Sequence, residues 1–190
     1  GRYWHSDLCY LERPSKLTVL NALEVPTKDG VTYGVTQFAG TVPAYDALTD
    51  EMKHRLEGVQ GANSYRTMWN RKAMEFGVRP HLNEAELAKY PEDAIHPVVR
   101  THPKTGRKSL FVCNGYTNAL IGLTKEEGEE ILEFLFDHIT GSDFKYEHQW
   151  RVGDVLIWDN CAVQHKAKFD YALPLRRLMQ RCTIEGDKPY

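Results

Sequence analysis

The sequence lacks the features that mark membrane proteins and polyanion-binding proteins. No apolar run approaches the ~20 residues that a membrane-spanning helix needs, and the first residues do not follow the charged and apolar pattern of a signal peptide. The 24 basic and 26 acidic residues nearly cancel, to a formal net charge of -2. We therefore expect neither a nucleic acid nor a membrane as partner, and the balance favours a small-molecule ligand or protein contacts.

Cysteine is sparse and widely spaced. The four cysteines are Cys9, Cys113, Cys161 and Cys182, and no two form a C-x-x-C pair, which argues against a zinc ribbon or a redox dithiol. Internal repeats, low-complexity tracts and linker-like stretches are absent from the sequence. We expect a cytoplasmic protein with reduced thiols, whose 190 residues form one domain over residues 1–190.

The hydrophobic pattern predicts many short strands with helices inserted between them. Residues 17–25 and 31–40 are rich in apolar and β-branched side chains and flank the turn TKDG, which favours a hairpin. Helical spacing predicts helices over 43–57 and 124–140, and the second begins with a Thr-x-x-Glu capping box. This order favours a mainly β fold with inserted helices, an antiparallel barrel or jelly roll, over a parallel βαβ sheet.

Other segments differ in how clear their patterns are. The pattern predicts two strands around the turn PKTGRK, two more joined at RVGD, and a last strand in RRLMQRCTIEG. Residues 58–90 show no clean period apart from a short helix predicted in NEAELAKY. Because long irregular stretches inside compact domains are often functional, we predict an active-site lid over 58–90.

A histidine and an aspartate stand close to the start of the chain, in the sequence WHSD. On an extended segment His5 and Asp7 point to the same face, so that they can grip one metal ion. The best third ligand is His165, which follows the apolar strand VLIWDN. Two histidines and one carboxylate form the facial triad of non-haem Fe(II) oxygenases, although zinc remains a rival metal for the same ligands.

Two arginines near the end of the chain indicate a site for an anion. Arg177 and Arg181 are four residues apart, so on one strand they share a face. A guanidinium offers a fixed fork for a carboxylate, and two such groups facing inward need anionic partners. The alternative is a solvated edge strand, in which the two arginines have no ligand.

Four blocks of the sequence together resemble one known family. WHSDLCYLERPSKLTVLNALEVP, HPVVRTHPKTGRKSLFVCNGYT, WRVGDVLIWDNCAVQH and RRLMQRCTIEGDKP are similar, in order, to blocks of the taurine dioxygenase (TauD/TfdA-like) family of Fe(II)/2-oxoglutarate-dependent dioxygenases. The resemblance implies a double-stranded β-helix, or jelly roll. It also implies that His5, Asp7 and His165 are the iron ligands, with 2-oxoglutarate and O2 as co-substrates.

The same resemblance assigns roles to side chains around the metal. Arg177 matches the arginine that binds the distal carboxylate of 2-oxoglutarate, and Arg181 matches one that contacts the acidic group of the substrate. A threonine that touches 2-oxoglutarate matches Thr36, in the second of two GVT sequences, with Thr32 in the first as the alternative. We expect Thr36, because the sequence after it then continues without a gap into the following helix.

The resemblance implies hydroxylation of a small organic acid, such as a taurine-like sulfonate or a sulfate ester, with release of succinate and CO2. Trp69 and Tyr116 match aromatic positions that line the substrate pocket, and ordinary core packing is the alternative for both. Two other functions stay open: a dioxygenase for aryloxyalkanoates such as 2,4-D, and a metal-binding jelly-roll protein without catalysis. A homo-oligomer also stays open. Because His5 follows so soon after Gly1, we expect the domain to lack its N-terminal segment.

Overall fold

The computed structural model describes residues 1–77, 82–88 and 93–190, and these residues are mainly β with inserted helices. The strands are β1 (Ser15–Glu24), β2 (Thr27–Lys28), β3 (Val31–Thr32), β4 (Thr36–Gly40), β5 (Gln60–Asn63), β6 (Ala94–Pro97), β7 (Val99–Thr101), β8 (Lys108–Leu110), β9 (Thr117–Ile121), β10 (Lys145–His148), β11 (Val155–Asp159), β12 (Val163–Ala167) and β13 (Leu178–Glu185). The helices are α1 (Thr41–Asp46), α2 (Asp50–Arg55), α3 (Tyr65–Phe76), α4 (Glu84–Leu87) and α5 (Lys125–Ile139), with a 3-10 turn at Ser142–Phe144.

Two antiparallel three-stranded sheets carry the residues of the predicted site. One has the strand order β11-β1-β13 and the other has the order β10-β4-β12. A shared core cluster joins them, since Leu20 of β1 and Trp158 of β11 pack with Phe38 of β4. The rings of Phe38 and Trp158 meet edge to face, with centroids 5.4 Å apart. The two central strands, β1 and β4, are therefore held on both sides and against each other.

A second core lies under α5. The helix begins at the predicted capping box, where the Thr124 hydroxyl accepts from the Glu127 backbone N–H, and its apolar stripe enters the main cluster of buried side chains. The stripe consists of Ile131, Leu132, Leu135 and Ile139. The helix predicted over 124–140 is confirmed, and so are the β7–β8 hairpin around PKTGRK, the short helix α4 and the last strand β13.

The predicted hairpin between residues 17–25 and 31–40 is wrong. β1 pairs with β11 and β13, whereas β4 pairs with β10 and β12, so the two segments enter different sheets. The turn TKDG closes only the two-residue strands β2 and β3. The strands on either side of RVGD, β10 and β11, are likewise present but belong to different sheets.

The predictions for two segments, 43–57 and 58–90, also need correction. The segment 43–57 forms two short helices instead of one, because the Thr49 side chain accepts from the Met52 backbone N–H and starts a new helix. The stretch 58–90 is not irregular where it is described, since it contains β5, α3 and α4. Residues 78–81 and 89–90 of the predicted lid lie outside the described residues. The period of α3 was hidden because polar side chains separate its buried residues Met68 and Ala73.

Within the described ranges, the helices do not combine the length and the apolar character that a bilayer crossing requires.

Replacing Leu135 tests the core under α5. Leu135 is fully buried in the main cluster, so Leu135→Ala is expected to lower the free energy of unfolding by about 2–5 kcal/mol. The neighbouring Phe134 is 43% exposed, so Phe134→Ala provides a matched control with a much smaller loss. Urea denaturation followed by circular dichroism measures both losses. Equal losses would contradict this packing of the helix.

Candidate metal centre

A pair of backbone hydrogen bonds brings the two candidate histidine ligands together. His5 and His165 form an isolated antiparallel bridge, in which each backbone N–H donates to the carbonyl of the other at 3.2 Å and 2.9 Å. The bridge attaches the start of the chain to β12, and the two imidazole rings lie with centroids 4.3 Å apart. Two residues from opposite ends of the sequence thus project their rings toward the same point.

Asp7 completes the group on the same face, as its spacing from His5 predicts. One carboxylate oxygen, Oδ1, lies 3.7 Å from His5 Nε2, and the other, Oδ2, lies 3.9 Å from His165 Nε2. The three ligand atoms lie within 4.8 Å of one another, and all three residues are buried. An ion about 2.0–2.2 Å from each ligand atom is compatible with the 3.7 Å and 3.9 Å separations.

The hydrogen bonds and burial of the histidines suit metal ligation. His5 Nδ1 donates to the Tyr3 carbonyl at 2.8 Å, because a carbonyl can only accept, and its Nε2 lone pair is left toward Asp7. Burial lowers the pKa of His5 and lowers the pKa of His165 well below its usual value. Both rings are therefore neutral near pH 7, which is the form that binds metal.

A second polar group consists of Arg177, Thr36 and Trp150, and Thr36 of β4 lies opposite Ala167, two residues after His165 on β12. The Thr36 hydroxyl accepts from Trp150 Nε1 at 2.9 Å and from Arg177 Nη2 at 3.3 Å. Because the Thr36 oxygen already accepts two bonds, its own O–H is left to donate. Arg177 Nε is buried without a partner, and burial lowers the pKa of this guanidinium. The group therefore offers unmet donors to an anion. Thr32 lies elsewhere, in the β2–β3 hairpin opposite Thr27.

Gly34 explains why the second GVT sequence can approach Arg177. Its φ of +71° is in the left-handed region, and a Cβ there would lie 2.9 Å from Tyr171 Cε1 and 3.0 Å from Arg177 Cδ. Gly30, in the first GVT sequence, has open space around it instead. The glycine two residues before Thr36 thus permits the close approach, although the sequence alone does not distinguish it from Gly30.

Arg181 reaches the triad from β13, where it lies opposite Leu20 of β1. Its Nη1 donates to Asp7 Oδ1 at 3.1 Å, while the side chain stays 53% exposed. Arg177 lies one residue before β13 begins, so the prediction that both arginines share a face of one strand is wrong for Arg177. Both side chains nevertheless reach the group of polar residues around the triad.

The two predicted aromatic residues lie at opposite ends of one row of rings. Tyr116 is 5.9 Å from the His5 ring, between centroids, and the row continues through Tyr10 and Tyr65 to Trp69 at spacings of 5.5 Å, 4.8 Å and 6.0 Å. Tyr116 therefore contacts the centre directly, and Trp69 lies at the far end of the row. Tyr10 and Tyr65 were not predicted, because nothing in their local sequence separates them from core aromatics.

Two further unpredicted residues hold Asp7. Thr18 Oγ1 donates to Asp7 Oδ2 at 2.7 Å, and Asn160 Oδ1 accepts from the Asp7 backbone N–H at 3.1 Å. A signal for Asn160 was available, since it immediately follows the strand VLIWD that leads to His165.

With this geometry described, comparison with known proteins is informative. Residues 1–183 match the model of the family described as "Taurine catabolism dioxygenase TauD, TfdA family". The chain belongs to this family. It is similar to the alpha-ketoglutarate-dependent sulfonate dioxygenase of Saccharomyces cerevisiae, with 30% identity over 98% of this chain and 42% of that protein.

Other relatives widen the range of named substrates. The alpha-ketoglutarate-dependent 2,4-dichlorophenoxyacetate dioxygenase of Cupriavidus pinatubonensis is 32% identical over 98% of this chain and 61% of that protein. The crystal structure of AAD-2 in complex with Mn(II) and N-oxalylglycine has a TM-score of 0.85 and 31% identity, over 99% of this chain and 69% of that one. This chain spans about half the length of the curated relatives it matches.

Metal binding is the direct test of the centre. His165→Ala removes one of the three ligands, so we expect the affinity for Mn(II) to fall by about a hundredfold or more. His54 is exposed on α2, and His54→Ala should bind Mn(II) like the wild type. Electron paramagnetic resonance of free Mn(II) measures both affinities. A wild-type affinity in His165→Ala would rule out this set of ligands.

Proposed function

We propose that the chain is the catalytic domain, over residues 1–190, of an Fe(II)- and 2-oxoglutarate-dependent dioxygenase. In this proposal it hydroxylates a small organic acid, such as a taurine-like sulfonate or a sulfate ester, and releases succinate and CO2. One observation carries the proposal: the strand pair β4–β12 carries both His165 of the buried His5, Asp7 and His165 group and, opposite Ala167, Thr36, which accepts from Arg177 and leaves Arg177 Nε free for an anion. The two facing sheets would be the walls of a double-stranded β-helix.

The three ligands match an open Fe(II) site better than they match a closed structural zinc site. Two histidines and one carboxylate on one side of an ion leave positions open for further ligands, whereas structural zinc has four protein ligands. Among the described residues, His5, Asp7 and His165 are the one group with ligand atoms close enough to hold an ion. Bound iron would supply the redox chemistry that couples decarboxylation of 2-oxoglutarate to hydroxylation of the substrate.

Arg177 and Thr36 would bind 2-oxoglutarate. The half-buried guanidinium of Arg177, whose Nε is buried without a partner, would pair with the distal carboxylate, and the O–H of Thr36 would donate to the same group. Trp150 fixes Thr36 by donating to its oxygen. These contacts would hold the co-substrate in one orientation beside the ion, which is the main contribution that a protein makes to a reaction of this kind.

Arg181 would bind the acidic group of the substrate. One Nη contacts Asp7, and the half-exposed remainder of the guanidinium is free to reach an anion at the mouth of the site. Tyr116, beside the His5 ring, would form one wall.

The row of aromatic rings supports a second candidate function, a dioxygenase for aryloxyalkanoates. Tyr116, Tyr10, Tyr65 and Trp69 provide a continuous aromatic surface leading away from the centre, against which a substrate ring could stack. The relative from Cupriavidus carries the name of such an activity.

The four cysteines are free thiols, which supports a reducing, cytoplasmic location.

Succinate formation tests the function and separates the two substrate classes. With Fe(II), 2-oxoglutarate and O2, we expect taurine or an alkyl sulfate to raise succinate formation more than 2,4-dichlorophenoxyacetate does. The reverse order would support the aryloxyalkanoate function. If Mn(II) binds but no acid raises 2-oxoglutarate consumption above background, the protein is a metal-binding protein without this activity.

Arg177 offers a matched mutational test of co-substrate binding. Arg177→Gln should raise the KM for 2-oxoglutarate by about tenfold or more, because a buried carboxylate loses its charged partner. The adjacent Arg176 is exposed and contacts Glu24 at 3.5 Å, so Arg176→Gln should leave that KM unchanged. The same KM for both variants would exclude Arg177 as the partner of the distal carboxylate.

A further inference from the structure

We propose that Thr18 and Asn160 are positioning residues that lock the Asp7 carboxylate in its metal-binding orientation. The inference rests on the proposed metal centre and adds to it two residues outside the predicted site. It follows from a closed circuit of hydrogen bonds in which Asp7 takes part twice, once through its backbone and once through its side chain.

The circuit has three members and fully assigned donors. The Asp7 backbone N–H donates to Asn160 Oδ1 at 3.1 Å, Asn160 Nδ2 donates to Thr18 Oγ1 at 2.9 Å, and Thr18 Oγ1 donates to Asp7 Oδ2 at 2.7 Å. Trp158 Nε1 adds a second donor to Asn160 Oδ1 at 3.1 Å. Because a backbone N–H and an indole N–H can only donate, the amide oxygen of Asn160 must face them, and its NH2 must face Thr18.

This polarity leaves the Thr18 hydroxyl with one role. Its oxygen is taken by the Asn160 amide, so its hydrogen is directed at Asp7 Oδ2. A hydroxyl that donates to one carboxylate oxygen holds the carboxylate in one rotational orientation. It also fixes what each oxygen faces. Oδ2 faces Thr18 and lies 3.9 Å from His165 Nε2, and Oδ1 is left toward His5 and Arg181.

The surroundings make the circuit rigid. Thr18 is fully buried, and Asp7 and Asn160 are nearly so. Thr18 lies on β1, the central strand of its sheet, opposite Trp158 of β11 and Thr183 of β13. The Asn160 backbone N–H is also fixed, since it donates to the Lys16 carbonyl at 2.8 Å.

Arg181 differs from Thr18 in the Asp7 oxygen that it contacts and in its exposure to solvent. It approaches the other oxygen of Asp7 from the half-exposed side of the site, on a long side chain that solvent can reach. A half-exposed guanidinium can replace its contact to Asp7 by a contact to water or to another anion, whereas the buried Thr18 hydroxyl cannot. The orientation of the carboxylate is therefore assigned to Thr18 and Asn160, and Arg181 remains available to the substrate.

Thr18→Val tests this role, because it keeps the shape of the side chain and removes the hydroxyl. We expect its affinity for Mn(II) to fall by about ten- to a hundredfold, as is typical when a partner that orients a metal ligand is lost. Thr18→Ser keeps the hydroxyl and should restore most of the affinity. Thr18→Ala, which removes the hydroxyl without adding a methyl group beside the carboxylate, should weaken binding as Thr18→Val does and serves if that variant does not fold.

Thr117→Val is the matched control for a merely structural effect. Thr117 is another buried threonine in a hydrogen-bond network, donating to Asn63 Oδ1 at 2.7 Å and accepting from the Cys113 backbone N–H at 2.8 Å. The Thr117→Val variant should lower the melting temperature of the metal-free protein about as much as Thr18→Val does, and it should leave the Mn(II) affinity unchanged.

Three results would overturn the inference. Mn(II) affinity in Thr18→Val and Thr18→Ala within about twofold of the wild type would do so, and so would an equal loss of affinity in Thr117→Val. A wild-type protein that binds no Mn(II) would instead overturn the proposed metal centre, and the inference with it. The first two results leave that centre intact, so the two failures are distinguishable.

Discussion

The backbone bridge between His5 and His165 is the contact on which the rest of the site depends. It attaches residues near the start of the chain to β12 and brings both imidazoles to one point. Once the bridge is formed, the two-residue spacing to Asp7 places the carboxylate on the same face. Thr18 of β1 then donates to Asp7, which joins the ligands to the sheet that contains β1. The core cluster between the two sheets holds that sheet against the sheet that carries His165.

Burial gives these residues their chemical character. The histidines lie too deep to be charged, so they are neutral, while the Asp7 carboxylate is compensated by Thr18 on one oxygen and Arg181 on the other. Near them Arg177 is half-buried, and its Nε has no hydrogen-bond partner among the described residues. A partly buried cation of this kind is costly unless an anion joins it, so this side of the centre would favour an acid.

The sequence was informative where local rules decide the structure. The capping box at Thr124 and the apolar stripe after it predicted α5, and the spacing of His5 and Asp7 predicted their common face. His165 required an assumption about distant strands. The spacing of Arg177 and Arg181 predicted an anion site, whereas their separate roles and the choice of Thr36 came from the family resemblance. Strand pairing was missed because β1 and β4 enter different sheets, and a local turn such as TKDG does not determine these long-range partners.

Other parts of the site could not have been read from local patterns. Thr18 is one inward-facing residue in an ordinary strand, and its role depends on Asn160, which approaches from a distant turn. Tyr10 and Tyr65 gain their place in the aromatic row only from tertiary packing. α3 lacks a clear apolar period because part of its surface contacts polar partners, as Arg71 does in donating to the Asn114 carbonyl.

The bridge also gives a bound metal ion a mechanical role. An ion at this centre would tie positions 5 and 7 to position 165 and so close a loop that contains most of the chain. An ion that binds only the folded state shifts the folding equilibrium toward that state. The metal centre would therefore act as a reversible cross-link, and loss of the ion would loosen the early segment before the sheets themselves.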